Sequence, residues 1–224
     1  MRQLSGPMLK DLPEFDRNSG RMTRLREEVF RYTKIRKKNM KKAIIDIDNT
    51  LWHFCDVLYE RLKRINGSTP APDGWTDWEF WERYCSKEDF LRVIEDIHLN
   101  QDDDEHLPYP EARKFLATLK RHDYYLIVAS HRTPESREQT QRWLAKHDRV
   151  FDELHLSHDK TVLFEEDCRV VVDDAPYVLE KAVGKRIIAS GLMFPWNKSN
   201  SNNGYRLFDS LTEVLRYVIT RAKK

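Results

Sequence analysis

Cysteine is scarce in this sequence, and what there is does not pair: Cys55, Cys85 and Cys168 are three in number and show no CxxC spacing. A disulfide framework and a thiolate metal site are thereby set aside, and the three read as reduced residues of a cytoplasmic protein. Long apolar runs are missing too. None approaches the roughly 20 residues a membrane helix requires, and Met1 to Gly6 does not open a secretory signal, so no membrane partner is expected. There is no internal repeat, no Walker loop and no GxGxxG string, which counts against a kinase or an oxidoreductase. Neither sign of charge predominates, since 39 basic and 37 acidic side chains leave a net charge of +2. What is there is a chain of 224 residues with 40% apolar content, enough for one sizeable core plus an insertion.

The segment Ala43 to Trp52, AIIDIDNTLW, is an apolar run that ends in two aspartates and is closed by Asn49 and Thr50. Side chains alternate faces along a strand, so Asp46 and Asp48 would share a face and converge on one ligand were the strand to continue. Its carboxyl end is where open α/β sheets bind ligands. One carboxylate there can attack phosphorus and form an aspartyl-phosphate, while the other shuttles the proton of the leaving oxygen. The plainer alternative is a pair of acids capping the next helix.

Two more apolar runs end in polar groups, Tyr124 to Ala129 in Ser130 and Arg169 to Val172 in Asp173 and Asp174, and Lys160 follows the short run Glu153 to Leu156. Phosphoryl transfer needs these residue types, because its catalysis is mostly positioning and electrostatic stabilisation of charged oxygens. Lys160 would be the fixed cation, Ser130 with nearby backbone amides would hold phosphate oxygens, and Asp46 with Asp173 or Asp174 would hold Mg²⁺, a hard ion that takes few carboxylates.

In that order, Asp46 with Asp48 and Thr50, then Ser130, Lys160, and Asp173 with Asp174 resemble the motifs of the haloacid dehalogenase superfamily over roughly residues 40 to 198. The second aspartate, Asp48, is similar to the phosphatase and phosphomutase branches. The resemblance implies Asp46 as nucleophile and Asp48 as acid and base. It implies phosphate held by Thr50, Ser130, His131 and Lys160, and Mg²⁺ held by Asp46, the Asp48 main-chain carbonyl and Asp174, with Asp173 behind. Within the superfamily, LSHDKT, the paired aspartates and FPWN at Phe194 to Asn197 resemble the 5'(3')-deoxyribonucleotidase family. Ser130-His131-Arg132 departs from that family's Thr-Ser-Pro.

The expected fold is α/β: a doubly wound parallel sheet with helices on both faces and a small helical cap inserted after the first motif strand, over about residues 53–107 of a domain spanning 40–224. Helices are expected at His53 to Ile65, Trp78 to Tyr84, Glu88 to Ile97, Glu111 to Arg121, Thr133 to His147, Pro176 to Val183 and Leu211 to Lys223, with a further strand at Lys185 to Ala189. Trp75, Trp78 and Trp81 recur every third residue, and either pack between cap helices or offer a stacking surface for a nucleobase. Trp52 and Phe54, just past the catalytic loop, are placed to touch substrate. Arg132 would lie at the pocket rim, gripping a second anionic group or pairing with an acid such as Glu135.

Residues 1–39 read as a basic leader, flexible or partly helical, whose basic string RYTKIRKKNMKK runs on from Arg31 to Lys42. It is expected to be a solvated extension or the product of a start placed ahead of Met40, with a tail that contacts nucleic acid as the alternative not favoured. The acidic loop Asp102 to Glu105 reads as a solvated turn in preference to a cation site. The expected function is Mg²⁺-dependent phosphomonoester hydrolysis on a small phosphorylated substrate, a nucleoside 5'-monophosphate first. The alternatives are a nucleic-acid end phosphatase and a non-catalytic binding module.

Overall fold

A computed structural model describes residues 40–102, 106–198 and 203–222. The expectations for the leader, for most of the acidic loop and for Lys223 fall outside them. Six strands form one sheet in the order β3-β2-β1-β4-β5-β6, every neighbouring pair parallel. They are β1 Lys41–Ile45, β2 Tyr124–Ser130, β3 Glu153–Leu156, β4 Cys168–Val172, β5 Ile188–Leu192 and β6 Arg206–Phe208.

The central strands are apolar on both faces because both faces are covered. Ala43 and Ile45, with Leu126, Val128, Val170 and Val172, point into one core, and Ile44, Ile127 and Val171 into the other. The first core receives helices α1 Phe54–Ile65, α3 Ala112–Arg121, α4 Arg137–Lys146 and α7 Leu211–Arg221, through Leu58, Phe115, Trp143 and Val214 among others. The second receives α5 Pro176–Gly184 through Val178, Leu179 and Ala182. The chain runs outward from β1 to β3 on one side and from β4 to β6 on the other. The order therefore reverses between β1 and β4, the place where such sheets bind ligands. Ile45 pairs with Val128 and with Val172, so Asp46 and Asp173, which follow β1 and β4, emerge at one level, beside the last residues of β2.

Between β1 and β2 the chain forms α1, short 3₁₀ turns at Pro72–Gly74 and Phe80–Arg83, and α2 Lys87–Leu99, whose first turn is capped by the Ser86 side chain accepting from the Asp89 amide at 3.1 Å. The helix expected over Trp78 to Tyr84 is only the turn Phe80–Arg83. So short a segment does not sustain a helix alone; ring stacking holds it, Trp75 on Phe80 at 3.9 Å and Trp81 on Phe90 at 4.5 Å. The tryptophans consequently do not line one helical stripe.

The strand expected at Lys185 begins instead at Ile188, because the end of α5 consumes the preceding residues. Arg186 adopts a left-handed φ of 61°, and the Ile187 amide donates back to Ala182 at 3.0 Å, which closes the helix. A short helix, α6 Pro195–Lys198, and β6 lie in a stretch for which no element was expected. Among the described residues no helix is long and apolar enough to cross a membrane.

Candidate active site

The ends of β1 and β4 bring Asp46, Asp173 and Asp174 together, and the turn after β3 adds Lys160. Lys160, at the start of a 3₁₀ turn, donates from Nζ to Asp46 Oδ1 and to Asp173 Oδ2, each at 2.6 Å. The turn is capped by Asp159, whose carboxylate accepts from the Thr161 amide at 2.9 Å. Asp173 Oδ1 accepts from the Ala175 amide at 3.0 Å, where α5 begins. Asp174 Oδ2 accepts from Asn49 Nδ2 at 3.0 Å, and Asn49 Oδ1 accepts from the Cys55 amide at 2.9 Å. Asn49 has a left-handed φ of 56°, which asparagine tolerates, and so ties α1 to the acid cluster. Buried Asn197, from the FPWN string, donates to the carbonyls of Asp174 and Leu192, both at 3.0 Å, and fixes the backbone there.

Three buried carboxylates face one buried ammonium, an excess of negative charge in a place with little water. Burial, with the charge of Asp173, pushes the Asp174 carboxyl up to about 7. Burial also raises Asp46 well above the usual carboxylate range, although Lys160 opposes it. For Lys160 burial disfavours the charge, but Asp173 and Asp46 outweigh it and the ammonium is held more firmly than in water. Carboxylate oxygens of Asp46, Asp173 and Asp174 lie within 4.8 Å of one another, and Asp46 Oδ2 is buried with no hydrogen-bond partner among the described residues. An all-oxygen, acid-rich cluster with an orphaned oxygen fits a hard divalent cation.

Asp48 does not join that cluster. β1 stops at Ile45, and a turn in which the Leu51 amide donates to the Ile47 carbonyl at 2.8 Å carries Asp48 to a different set of partners. Its Oδ1 accepts from Trp52 Nε1 at 2.8 Å and from an Arg132 Nη at 2.5 Å. Its Oδ2 accepts from Ser130 Oγ at 2.8 Å and Arg132 Nε at 3.3 Å. His98 of α2 approaches Oδ2 at 3.3 Å without hydrogen-bond alignment. Burial disfavours the charge on Asp48, yet Arg132 and then His98 overcome it and hold the carboxyl well below its usual range.

Three placements differ from those read in the sequence. Arg132 is not at a rim: its side chain is fully buried and paired with Asp48, not with Glu135. The apolar residues around β2 leave its charge no outlet but an internal acid. Trp52 is fully buried with its indole N–H spent on Asp48, and packs against Phe54 and Trp143, so it presents no surface to a substrate. The Ser130 hydroxyl is likewise turned to Asp48. Thr50 is buried, its hydroxyl without a hydrogen-bond partner among the described residues. His131 contacts Tyr177 at 2.6 Å, and burial, with the nearby Lys160 charge, pulls its imidazole down to about 4.

Phe54, Trp78 and Trp81 line a cavity of about 170 Å³, together with Trp75, Phe80 and Trp196. Asn49, the partner of Asp174, also lines it, so the cavity begins one hydrogen bond from the acid cluster. Sequence reasoning missed Trp196 and Asn49 as walls, and His98 and Gln101 as neighbours of the Asp48 pair. Only Trp196 carried a signal, in the FPWN string.

Solved structures share this arrangement of strands and helices. A HAD-superfamily hydrolase from Ehrlichia chaffeensis matches with a TM-score of 0.51 and 14% identity, covering 81% of this chain and 97% of its own. The chain has the haloacid dehalogenase fold. CbbY from Rhodobacter sphaeroides, solved in complex with phosphate, matches at 0.56 with 18% identity over 78% of this chain and 96% of its own. A predicted phosphatase from Clostridium acetobutylicum matches at 0.56 with 16% identity over 81% and 99%. No protein-family model matches the chain, and no curated protein matches it in sequence. On this fold the acid cluster occupies the switch point of the sheet, between β1 and β4.

Proposed function

We propose that the chain is a metal-dependent phosphomonoesterase. The observation that carries the reading is Asp46, at the end of β1, with one carboxylate oxygen on Lys160 and the other unpaired, beside two further buried acids. The unpaired oxygen is free to attack phosphorus. The bond from phosphorus to the leaving oxygen breaks as the bond to Asp46 forms, leaving an aspartyl-phosphate. Asp48 moves the protons of both steps: as the carboxylate that Arg132 holds, it takes one from the water that hydrolyses the intermediate, and it gives that proton to the leaving oxygen of the next ester. Lys160 faces the growing charge on the phosphoryl oxygens, with the hydroxyls of Ser130 and Thr50 as donors. Asp46, Asp174 and the Asp48 main-chain carbonyl would hold Mg²⁺, with Asp173 in support; when bound it neutralises phosphate and carboxylate charge. The phosphate held by the Rhodobacter protein supports a phosphorylated substrate.

The leading substrate is a nucleoside 5'-monophosphate. The aromatic cavity reached through Asn49 supports a flat leaving group, since rings stack on indole faces whatever their substituents. The end-phosphatase reading rests on the leader, outside the described residues, and on a likeness of the stretch from SHRTPES at Ser130 to TQRWL at Thr140 to polynucleotide phosphatases, where the structure spends Arg132 on Asp48. Phosphate release from nucleoside monophosphates, sugar phosphates and phosphorylated oligonucleotides, with Mg²⁺ or EDTA and alongside Asp46→Asn, tests the proposal. Metal-dependent release abolished in Asp46→Asn is expected; release from no ester sinks it.

A further inference from the structure

The mechanism above gives Asp48 its work but leaves Arg132 with none, and Arg132 is an expensive residue to bury. A charge with no exposure must recover its lost hydration from its partners, and a well-packed apolar side chain of the same volume is often no worse for stability. Arg132 has recovered it from three elements at once. Its Nε and one Nη make a two-pronged contact with both Asp48 oxygens, at 3.3 and 2.5 Å. The other Nη donates to Thr140 Oγ1 of α4 at 2.8 Å and to Gln101 Oε1, just beyond the end of α2. Nε also meets Ser130 Oγ at 3.1 Å.

A carboxylate offers about four lone-pair positions. Those of Asp48 are taken by Trp52, Ser130 and the two prongs of Arg132. Of these donors only the Ser130 hydroxyl turns freely. When Ser130 rotates toward a phosphoryl oxygen it uncovers one position on Asp48 Oδ2, while the guanidinium keeps the carboxylate plane fixed. His98 and Gln101 come from the insertion between β1 and β2, so the same plane also depends on how α2 is seated.

We propose that Arg132 is a positioning residue that clamps the Asp48 carboxylate in its working orientation and, through Gln101, couples that orientation to the helical insertion. The inference rests on the phosphatase reading. It requires a planar fork at position 132, since an ammonium cannot hold both carboxylate oxygens in a plane.

The test compares the wild-type chain with Arg132→Met and Arg132→Lys on two phosphate esters, an alkyl ester whose leaving oxygen needs a proton and 4-nitrophenyl phosphate, whose leaving group departs without one. Arg132→Met is expected to lower kcat on the alkyl ester by about 100-fold or more, the lower range for general acid–base catalysis. On 4-nitrophenyl phosphate it should release one equivalent of nitrophenol in a burst and then turn over slowly, because water attack on the aspartyl-phosphate still needs Asp48. Arg132→Lys should show the same pattern, weaker, which carries the comparison should Arg132→Met not fold. Equal losses on the two esters with no burst, or no loss at all, overturn the inference and leave the phosphatase reading standing. A wild-type chain that hydrolyses neither ester overturns both.

Discussion

Gly191 on β5 faces the carbonyl oxygen of Asp173 so closely that a Cβ at position 191 would lie 1.9 Å from it. Backbone stands there, so no flexible side chain can move aside. Gly191→Ala must therefore push β5 away from the end of β4, where the Asp173 amide donates to the Ser190 carbonyl at 3.1 Å. Overpacking usually costs about 1–3 kcal/mol; with backbone as the obstacle, a loss of about 3 kcal/mol or more is expected in denaturant unfolding. Because Asp173 holds Lys160, phosphatase activity should fall in the same variant, more than in an alanine change at exposed Gly67, where nothing lies within 4 Å.

Removing Lys160 strips Asp46 and Asp173 of their shared cation in a buried place. Breaking a buried ion pair by deleting one partner costs about 3–5 kcal/mol, since the remaining charge is uncompensated. Lys160→Met is expected to lose that much stability at neutral pH without metal, and less at pH 4, where the carboxylates take up protons. Chemical denaturation at the two pH values measures the difference. A variant as stable as the parent at neutral pH would mean that the acids are neutral there.

Asp174 supplies a pH dependence with a definite sign. Its carboxyl lies at about 7 in the folded chain against 3.8 as the ordinary value, so the folded state binds the proton more tightly than the unfolded one. That stability is fully present below about pH 4, is lost as pH rises to about 7, and changes no further above it. The drop is on the order of 4 kcal/mol at 1.36 kcal/mol per unit. The melting temperature of the metal-free protein should fall across that window, and saturating Mg²⁺ should flatten the fall. Asp174→Asn should remove the share of the pH dependence that belongs to Asp174, leaving that of Asp46, and weaken the stabilisation by Mg²⁺.

The parts of the site carried by strand ends were legible in the sequence because apolar runs of strand length end in the residues that matter. Asp46, Asp173, Asp174 and Lys160 meet as those run ends imply. Asp48 leaves the face of Asp46 because β1 ends at Ile45, before the alternation reaches it, and nothing local says that a left-handed Asn49 follows. The Arg132 to Asp48 pair spans 84 residues, and its burial is a property of how α2 and α4 close over β2. The period of the aromatic turn at Phe80–Arg83 suits a helix, while the stacks that hold it join residues up to nine positions apart, such as Trp81 and Phe90. β6, three residues long, has too little sequence to announce itself.

Trp78 separates substrate contact from packing. It is 46% exposed and meets Trp196 only edge-on, at 6.5 Å, whereas Trp75 is buried and stacked on Phe80. Truncating an exposed ring removes little packing, so Trp78→Ala should change unfolding free energy by about 0.5 kcal/mol or less. A base stacked on it would lose about 1–3 kcal/mol of binding. KM for a nucleoside monophosphate should then rise about 5-fold to 150-fold with kcat nearly unchanged, while KM for glycerol phosphate, which has no ring, stays where it was. Equal KM values for the two esters before and after the substitution would assign the cavity to packing and turn the search toward substrates without a ring.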